Sequence, residues 1–200
     1  HPLSSLEPRL YLLRRGIGNM MDAVNIVATG DVGQELDLEA LYVDLDFSQK
    51  EYNPEKAPAL QLRSVQDGPV IILYSSGAYN IMGARCEKGI EELYNAFSSS
   101  LEELGIDISN KSRPEVRNIV CKAELGREVD LSALTIALGM EQVEYEPEQS
   151  PFVYYWPDNL DCLITIPANG EVVITGVTTK QAAKQALSNL QDRLEIVSPK

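Results

Sequence analysis

The chain contains itself twice. Asn25-Ile26-Val27 recurs 93 residues later as Asn118-Ile119-Val120. The same offset relates Gly33 to Gly126, Glu35 to Glu128, Asp37-Leu38 to Asp130-Leu131, and Ala40-Leu41 to Ala133-Leu134. It continues through Glu51-Tyr52 and Glu144-Tyr145, Pro54-Glu55 and Pro147-Glu148, Pro58 and Pro151, Gly77 and Gly170, and Gly83 and Gly176, with no gap. Turn residues kept in one register over such a span argue for two copies of one structural unit. We expect a first repeat over 22–110, a second over 111–200, and an unstructured leader or extension at 1–21 ahead of them.

Each copy predicts the same run of elements. A strand opens it, Val24–Thr29 or Asn118–Ala123. A short helix follows, because Leu38, Leu41 and Leu45, and likewise Leu131, Leu134 and Leu138, recur three and four residues apart. Asp37 and Asp130 precede those helices as N-caps. The proline-broken segments EYNPEKAP and EYEPEQSP suggest protruding loops. Strands then run over Pro69–Ser75 and Tyr79–Gly83, turning at Ser76-Gly77. Their counterparts are Cys162–Ile166 and Glu171–Thr175, turning at Asn169-Gly170. A longer helix closes each copy, striped by Ile90, Leu93, Tyr94, Phe97, Leu101 and Leu104 in the first. Ala183, Leu187, Leu190 and Leu194 stripe the second. Gly105 supplies a helix stop. Two such half-sheets joined edge to edge, with helices on one side, leave the other face open for binding.

Charge complicates the choice of ligand. Thirty acidic residues outnumber 17 basic ones, for a formal net charge of −13. A nucleic-acid-binding surface is usually basic, since release of cations from phosphate drives association. An acidic surface also suits high salt, where repulsion is screened within a few ångströms. Cys86, Cys121 and Cys162 have no CxxC spacing, and their odd number fits a reducing cytoplasm rather than a disulfide framework. The one histidine is His1, so zinc or histidine chemistry has little to build on and no cofactor is expected. No nucleophile, base or metal set marks an enzyme, and no apolar stretch is long enough to span a membrane.

The strand NIVAT, the loop EYNPE with Pro58, and the turn SSG leading to MGAR resemble the first repeat of TATA-box-binding proteins. NIVCKAELG, EYEPEQSP and NGEVVITG resemble the second, and the likeness runs from Asp22 to Leu194. The acidic balance is similar to that of versions from salt-loving archaea. The resemblance implies an α+β saddle, a ten-stranded curved antiparallel sheet with four helices on the convex side. Its concave face would grip the DNA minor groove.

The resemblance also places a DNA face residue by residue. Two central asparagines fall on Asn25 and Asn118, beside Val27 and Val120. Amide donors suit a minor-groove floor that offers only acceptors at A·T pairs. Val173 and Thr175 keep the family's residue types, whereas Asn80 and Met82 depart from them. Ile72 and Thr165 complete the strand positions. The family's four base-pair wedges fall on Ala57, Tyr74, Ser150 and Pro167. Arg63 and Arg85 retain basic positions, while Ala78, Trp156, Glu171 and Thr178 replace others. The second loop, Glu144, Tyr145, Glu146, Glu148 and Gln149 around Pro147, keeps the pattern that contacts a B-type initiation factor.

The resemblance thus implies a general transcription initiation factor in the cytoplasm, binding promoter DNA and a B-type factor and reaching RNA polymerase indirectly. The alternative is a diverged paralogue that acts mainly through protein contacts and bends DNA weakly.

Overall fold

The computed structural model describes residues 21–108 and 113–197. The expected leader lies outside them apart from Met21, which opens the first strand. The described residues hold ten strands and four helices, and divide into two units. One unit lies within Val24–Ile119; the other takes the described residues from Val120 onward together with Met21–Ala23.

The first copy runs β1 (Met21–Asp31), α1 (Leu38–Asp44), β2 (Gln49–Asn53), β3 (Ala57–Arg63), β4 (Val70–Tyr74), β5 (Ala78–Ala84) and α2 (Glu87–Glu103). The second runs β6 (Glu115–Glu124), α3 (Leu131–Leu138), β7 (Val143–Glu144), β8 (Phe152–Tyr155), β9 (Leu163–Pro167), β10 (Glu171–Val177) and α4 (Lys180–Val197). Strand order is β2-β3-β4-β5-β1 in the first copy and β7-β8-β9-β10-β6 in the second. Neighbours such as β3 and β4, or β8 and β9, pair antiparallel.

Local chemistry explains most element ends. Asp37 Oδ1 accepts from the N–H groups of Glu39 and Ala40 at 3.0 and 3.1 Å, and Asp130 Oδ1 from Ala133 at 3.0 Å. Both short helices are therefore capped by the aspartates expected from sequence. Helix α2 stops in a Schellman turn. Gly105 N–H donates to Glu102 C=O at 2.9 Å and Ile106 N–H to Leu101 C=O at 3.0 Å. Leu104 lies past the last full turn and is exposed, so it leaves the apolar stripe.

The first proline-broken segment is not a protruding loop. Glu51–Asn53 complete β2, Pro54–Lys56 turn, and Ala57 begins β3. Lys56 N–H closes the turn on Asn53 C=O at 3.0 Å. Proline's fixed φ suits the corner, so the residue read as a breaker serves a hairpin. The second segment stays a loop, because β7 ends at Glu144 and β8 starts only at Phe152. The opening strands also run longer than expected at both ends.

Every unit buries one face of its strands beneath its helices, the short helix against the outer strands and the long helix against the last strand. Leu60, Leu62, Ile71, Leu73, Tyr79 and Ile81 are almost fully buried in the first copy. Tyr79 packs edge-on to Phe97 of α2, with ring centroids 5.3 Å apart. In the second, Val153, Ile164, Ile166, Val172 and Ile174 lie with Ala183, Ala186, Leu187 and Leu190 of α4. Cys121 and Cys162 belong to this core, and burial pushes both thiols up. Among the described residues no helix is long and apolar enough to cross a membrane. None of their His, Cys, Asp and Glu side chains form a cluster suited to a metal ion.

A main-chain clamp is duplicated along with the sequence. Val32 N–H donates to Gly77 C=O at 2.9 Å and Leu36 N–H to Ser75 C=O at 2.8 Å. In the second copy Leu125 donates to Gly170 and Val129 to Ala168, both at 2.9 Å. Gly77 (φ 92°) and Gly170 (φ 82°) sit so close beneath the crossing chain that a Cβ would overlap Gln34 C=O or Arg127 C=O. Replacing either glycine by alanine combines left-handed backbone with a collision against main chain. We expect each of Gly77→Ala and Gly170→Ala to destabilise by about 1–3 kcal/mol in urea titration. A change under about 0.5 kcal/mol, the ordinary surface value, would show that the clamp does not constrain the fold.

Candidate nucleic-acid interface

Alternation along the strands creates a second face opposite each core. In the first unit it carries Asn25 and Val27 on β1, Arg63 on β3, Ile72 and Tyr74 on β4, and Asn80 and Met82 on β5, all half-buried. Cross-strand register confirms the grouping, with Ile72 opposite Asn80 and Val70 opposite Met82. Asn118, half-buried on β6, belongs to the same unit. Ala57 is exposed at the β2–β3 turn, and Arg85 is exposed just beyond β5.

Asn25 is held by an unusual partner. Gly83 N–H donates to its Oδ1 at 2.9 Å. Gly83 has φ 86°, and the β1–β5 register shifts between Ile26 and Ala28. The irregularity frees that N–H from strand pairing and turns it toward the side chain. An N–H can only meet the oxygen of a carboxamide, so the Asn25 oxygen is committed to Gly83 and its NH2 is the end left to donate on the open face. A donor held toward the open face is what an acceptor-lined groove floor requires. Gly176, related to Gly83 by the repeat, has φ 95°.

The basic side chains are partly committed elsewhere. Arg63 Nη1 donates to Gly68 C=O at 2.6 Å, which turns the guanidinium into the loop after β3. Arg117 donates from Nε to Thr29 Oγ1 at 3.0 Å and pairs with Glu115 at 2.8 Å. Lys50 Nζ lies 2.7 Å from Leu45 C=O, at the end of α1. The open face of the first unit is therefore polar and apolar more than cationic.

In the second unit, Val120, Thr165, Pro167, Val173 and Thr175 are half-buried on the face opposite the core. Val173 stands opposite Thr165, and Thr165 opposite Tyr154. Ser150 precedes β8, and its Oγ lies 3.2 Å from the Tyr154 hydroxyl. Phe152, exposed and opposite Pro167, shares this face with Tyr154. Neither aromatic was singled out from sequence. The alternation Phe152-Val153-Tyr154-Tyr155-Trp156 directly after Pro151 was the available signal.

The loop between β7 and β8 closes on itself. Gln149 and Ser150 N–H both donate to Glu146 C=O at 2.9 Å, and the Gln149 amide meets the Glu146 carboxylate. Glu144, Glu146, Glu148 and Gln149 are exposed, while Tyr145 is half-buried. The result is a compact, acidic protrusion.

The family model described as transcription factor TFIID (or TATA-binding protein, TBP) matches residues 20–104 and 113–196. TATA-box-binding protein C of Halobacterium salinarum is 37% identical over 176 residues, 88% of this chain and 97% of that protein. TATA-box-binding protein B of the same organism is 39% identical over 170 residues, 85% of this chain and 90% of its own length. Among solved structures, Methanococcus jannaschii TBP superimposes with a TM-score of 0.75 at 32% identity, over 88% of this chain and 98% of that one.

Acidic side chains dominate the surface, and the ion pairs of the described residues, Lys88 with Glu92 and Arg117 with Glu115, are exposed. Such pairs add little, so repulsion among the excess carboxylates opposes folding at low ionic strength. Raising salt from about 0.1 M to 1 M shortens the screening length from about 10 Å to about 3 Å. The melting temperature should therefore rise over that range, by scanning calorimetry. A fall would mean that surface repulsion is not a significant destabilising force here.

Proposed function

The chain belongs to the TATA-binding protein family, and from that premise we propose that it is a general transcription initiation factor. It binds the minor groove of A·T-rich promoter DNA through the open face of its strands, and its acidic β7–β8 loop recruits a B-type initiation factor. The matched relatives support the transcriptional role, as members of a family of non-enzymatic factors.

The observation that carries the DNA reading is the Asn25 amide, held by Gly83 N–H with its donor end outward. Asn118 occupies the equivalent position of the repeat. Donors paired with groove-floor acceptors tolerate A·T and T·A alike and disfavour the amino group of G·C. In the first unit Val27 and Ile72, with Asn80 and Met82, and in the second unit Val120 and Val173, with Thr165 and Thr175, offer apolar contact to sugars and base edges. Ala57 and Ser150 are too small to hold an unstacked step, which leaves Tyr74 and Pro167 as the bulkier of the four wedge positions.

Asn25→Asp tests the reading with little structural cost, because a carboxylate can still accept from Gly83. It replaces the outward donor with an anion facing acceptors. Binding of an A·T-rich duplex in molar salt, followed by anisotropy, should weaken at least about a hundredfold, comparable to losing a good bidentate base contact. Unchanged affinity would remove the asparagine from the interface.

The partner contact rests on charge. Glu146→Lys with Glu148→Lys reverses the protrusion while leaving the core untouched. We expect capture of the B-type factor to be lost and the melting temperature to stay within a few degrees. Normal capture would reduce the loop to a solvated turn.

A further inference from the structure

The two copies share a backbone plan but present different chemistry on their outer strands. On β3 of the first copy the corresponding row is Ala59, which is buried, followed by Gln61 and Arg63, which are half-buried. The residues 93 positions later are Phe152, Tyr154 and Trp156. The second row is aromatic throughout, and Phe152 (36%) and Trp156 (44%) are exposed, while the intervening Val153 and Tyr155 are buried. Large aromatic side chains that stay open to solvent in a row on a strand need a reason, since burial is their ordinary fate.

The row is also built rather than loose. The rings of Phe152 and Tyr154 meet edge to face, with centroids 6.4 Å apart and planes at 70°. The Tyr154 hydroxyl is tied to Ser150 Oγ at 3.2 Å. Phe152 stands opposite Pro167 and Tyr154 opposite Thr165 across the β8–β9 ladder. Trp156 N–H donates to Gln142 C=O at 2.9 Å, which holds the residue after β8 in line with the strand. From Val143 to Pro167 the chain has no lysine or arginine and carries Glu144, Glu146, Glu148, Asp158 and Asp161, so this segment itself offers no cation to phosphate.

We infer that Phe152, Tyr154 and Trp156 form an aromatic contact platform that engages duplex DNA through sugars and base faces rather than through phosphate. The inference rests on the DNA-binding reading above and adds residues to it. The occupant is duplex DNA because the row shares its face with Thr165, Pro167 and Val173, the uncharged strand positions of the candidate interface. In a duplex the base faces are covered by their neighbours, so the rings pack against sugars and reach a base face only where a step is opened, whereas contacts to phosphate need cations and carry a steep salt dependence. The platform therefore holds DNA by a contact that survives molar salt. It also compensates for the small side chain at Ser150, because Phe152 reaches the same face two residues further along.

Trp156 is the only tryptophan in the chain, so its emission reports on the platform alone. The experiment follows tryptophan fluorescence and the anisotropy of a labelled A·T-rich duplex in one titration at molar salt, and repeats it across a salt series. Binding should quench the emission along the same curve as the anisotropy. Phe152→Ala and Trp156→Ala should each weaken binding about tenfold or more, with the slope of log affinity against log salt unchanged. Trp156→Phe should retain most of the affinity. The fluorescence result needs no variant, so it stands even if a substitution fails to fold. Duplex binding with unchanged emission, or alanine variants that bind as tightly as the parent, would overturn the platform and leave the DNA reading intact. No duplex binding at any salt would overturn both. Emission that responds to dilution of the protein alone, or to a lysine-rich peptide, while the duplex leaves it unchanged would assign the platform to a protein partner and overturn it too.

Discussion

The chain leaving the opening strand of each copy is pinned to the turn between that copy's last two strands. In the first copy, Val32 and Leu36 donate to the carbonyls of Gly77 and Ser75. In the second, Leu125 and Val129 donate to Gly170 and Ala168. These bonds satisfy main-chain groups that cross above the sheet, where water is partly excluded. They also decide where the next helix begins, since Asp37 and Asp130 cap helices one residue after the pinned stretch ends. With the short helix against the outer strands and the long helix against the last strand of each copy, the core forms on one face. The other face is left to carry function. The turn glycines are the residues for which no substitute fits, because backbone angle and steric contact constrain the same atom.

Duplication supplied two equivalent backbones, and the side chains then diverged. The constraints that shape the core are shared: leucines on the short helix, aspartate caps, glycine turns and a striped long helix. The open faces carry no packing demand and differ accordingly. Arg63 in the first copy becomes Trp156 in the second, and Gln61 becomes Tyr154. The closed acidic loop of the second copy has as its counterpart a tight hairpin turn in the first. The two copies differ where packing constrains them least. The carboxylate excess fits the same division, because exposed charge affects solubility and association more than the choice of fold.

Much of this was legible in the sequence, and for a physical reason. The repeat, the N-caps, the helix stripes and the glycine turns depend on neighbours within a few residues, and local patterns record local forces. Gly105 ends its helix, and Asp37 and Asp130 begin theirs, as the residues imply. The proline-broken first loop was misread because a proline at a hairpin corner and a proline breaking a helix look alike until a partner strand is found. The partner of Asn25 is a backbone N–H 58 residues away, turned inward at an irregular strand, and no pattern of side chains marks it. Arg63 had the residue type of a phosphate contact, yet its guanidinium bends into a loop that only the folded chain brings near. The row at Phe152, Tyr154 and Trp156 was visible as an alternation, but its face was not. Which side of a strand meets the core is decided by the strands and helix packed against it. The sequence by itself determined the two-copy α+β architecture and the caps of its short helices. Only the tertiary structure decided which side chains stay open to a partner and which way the Asn25 donor points, because those depend on contacts between residues far apart along the chain.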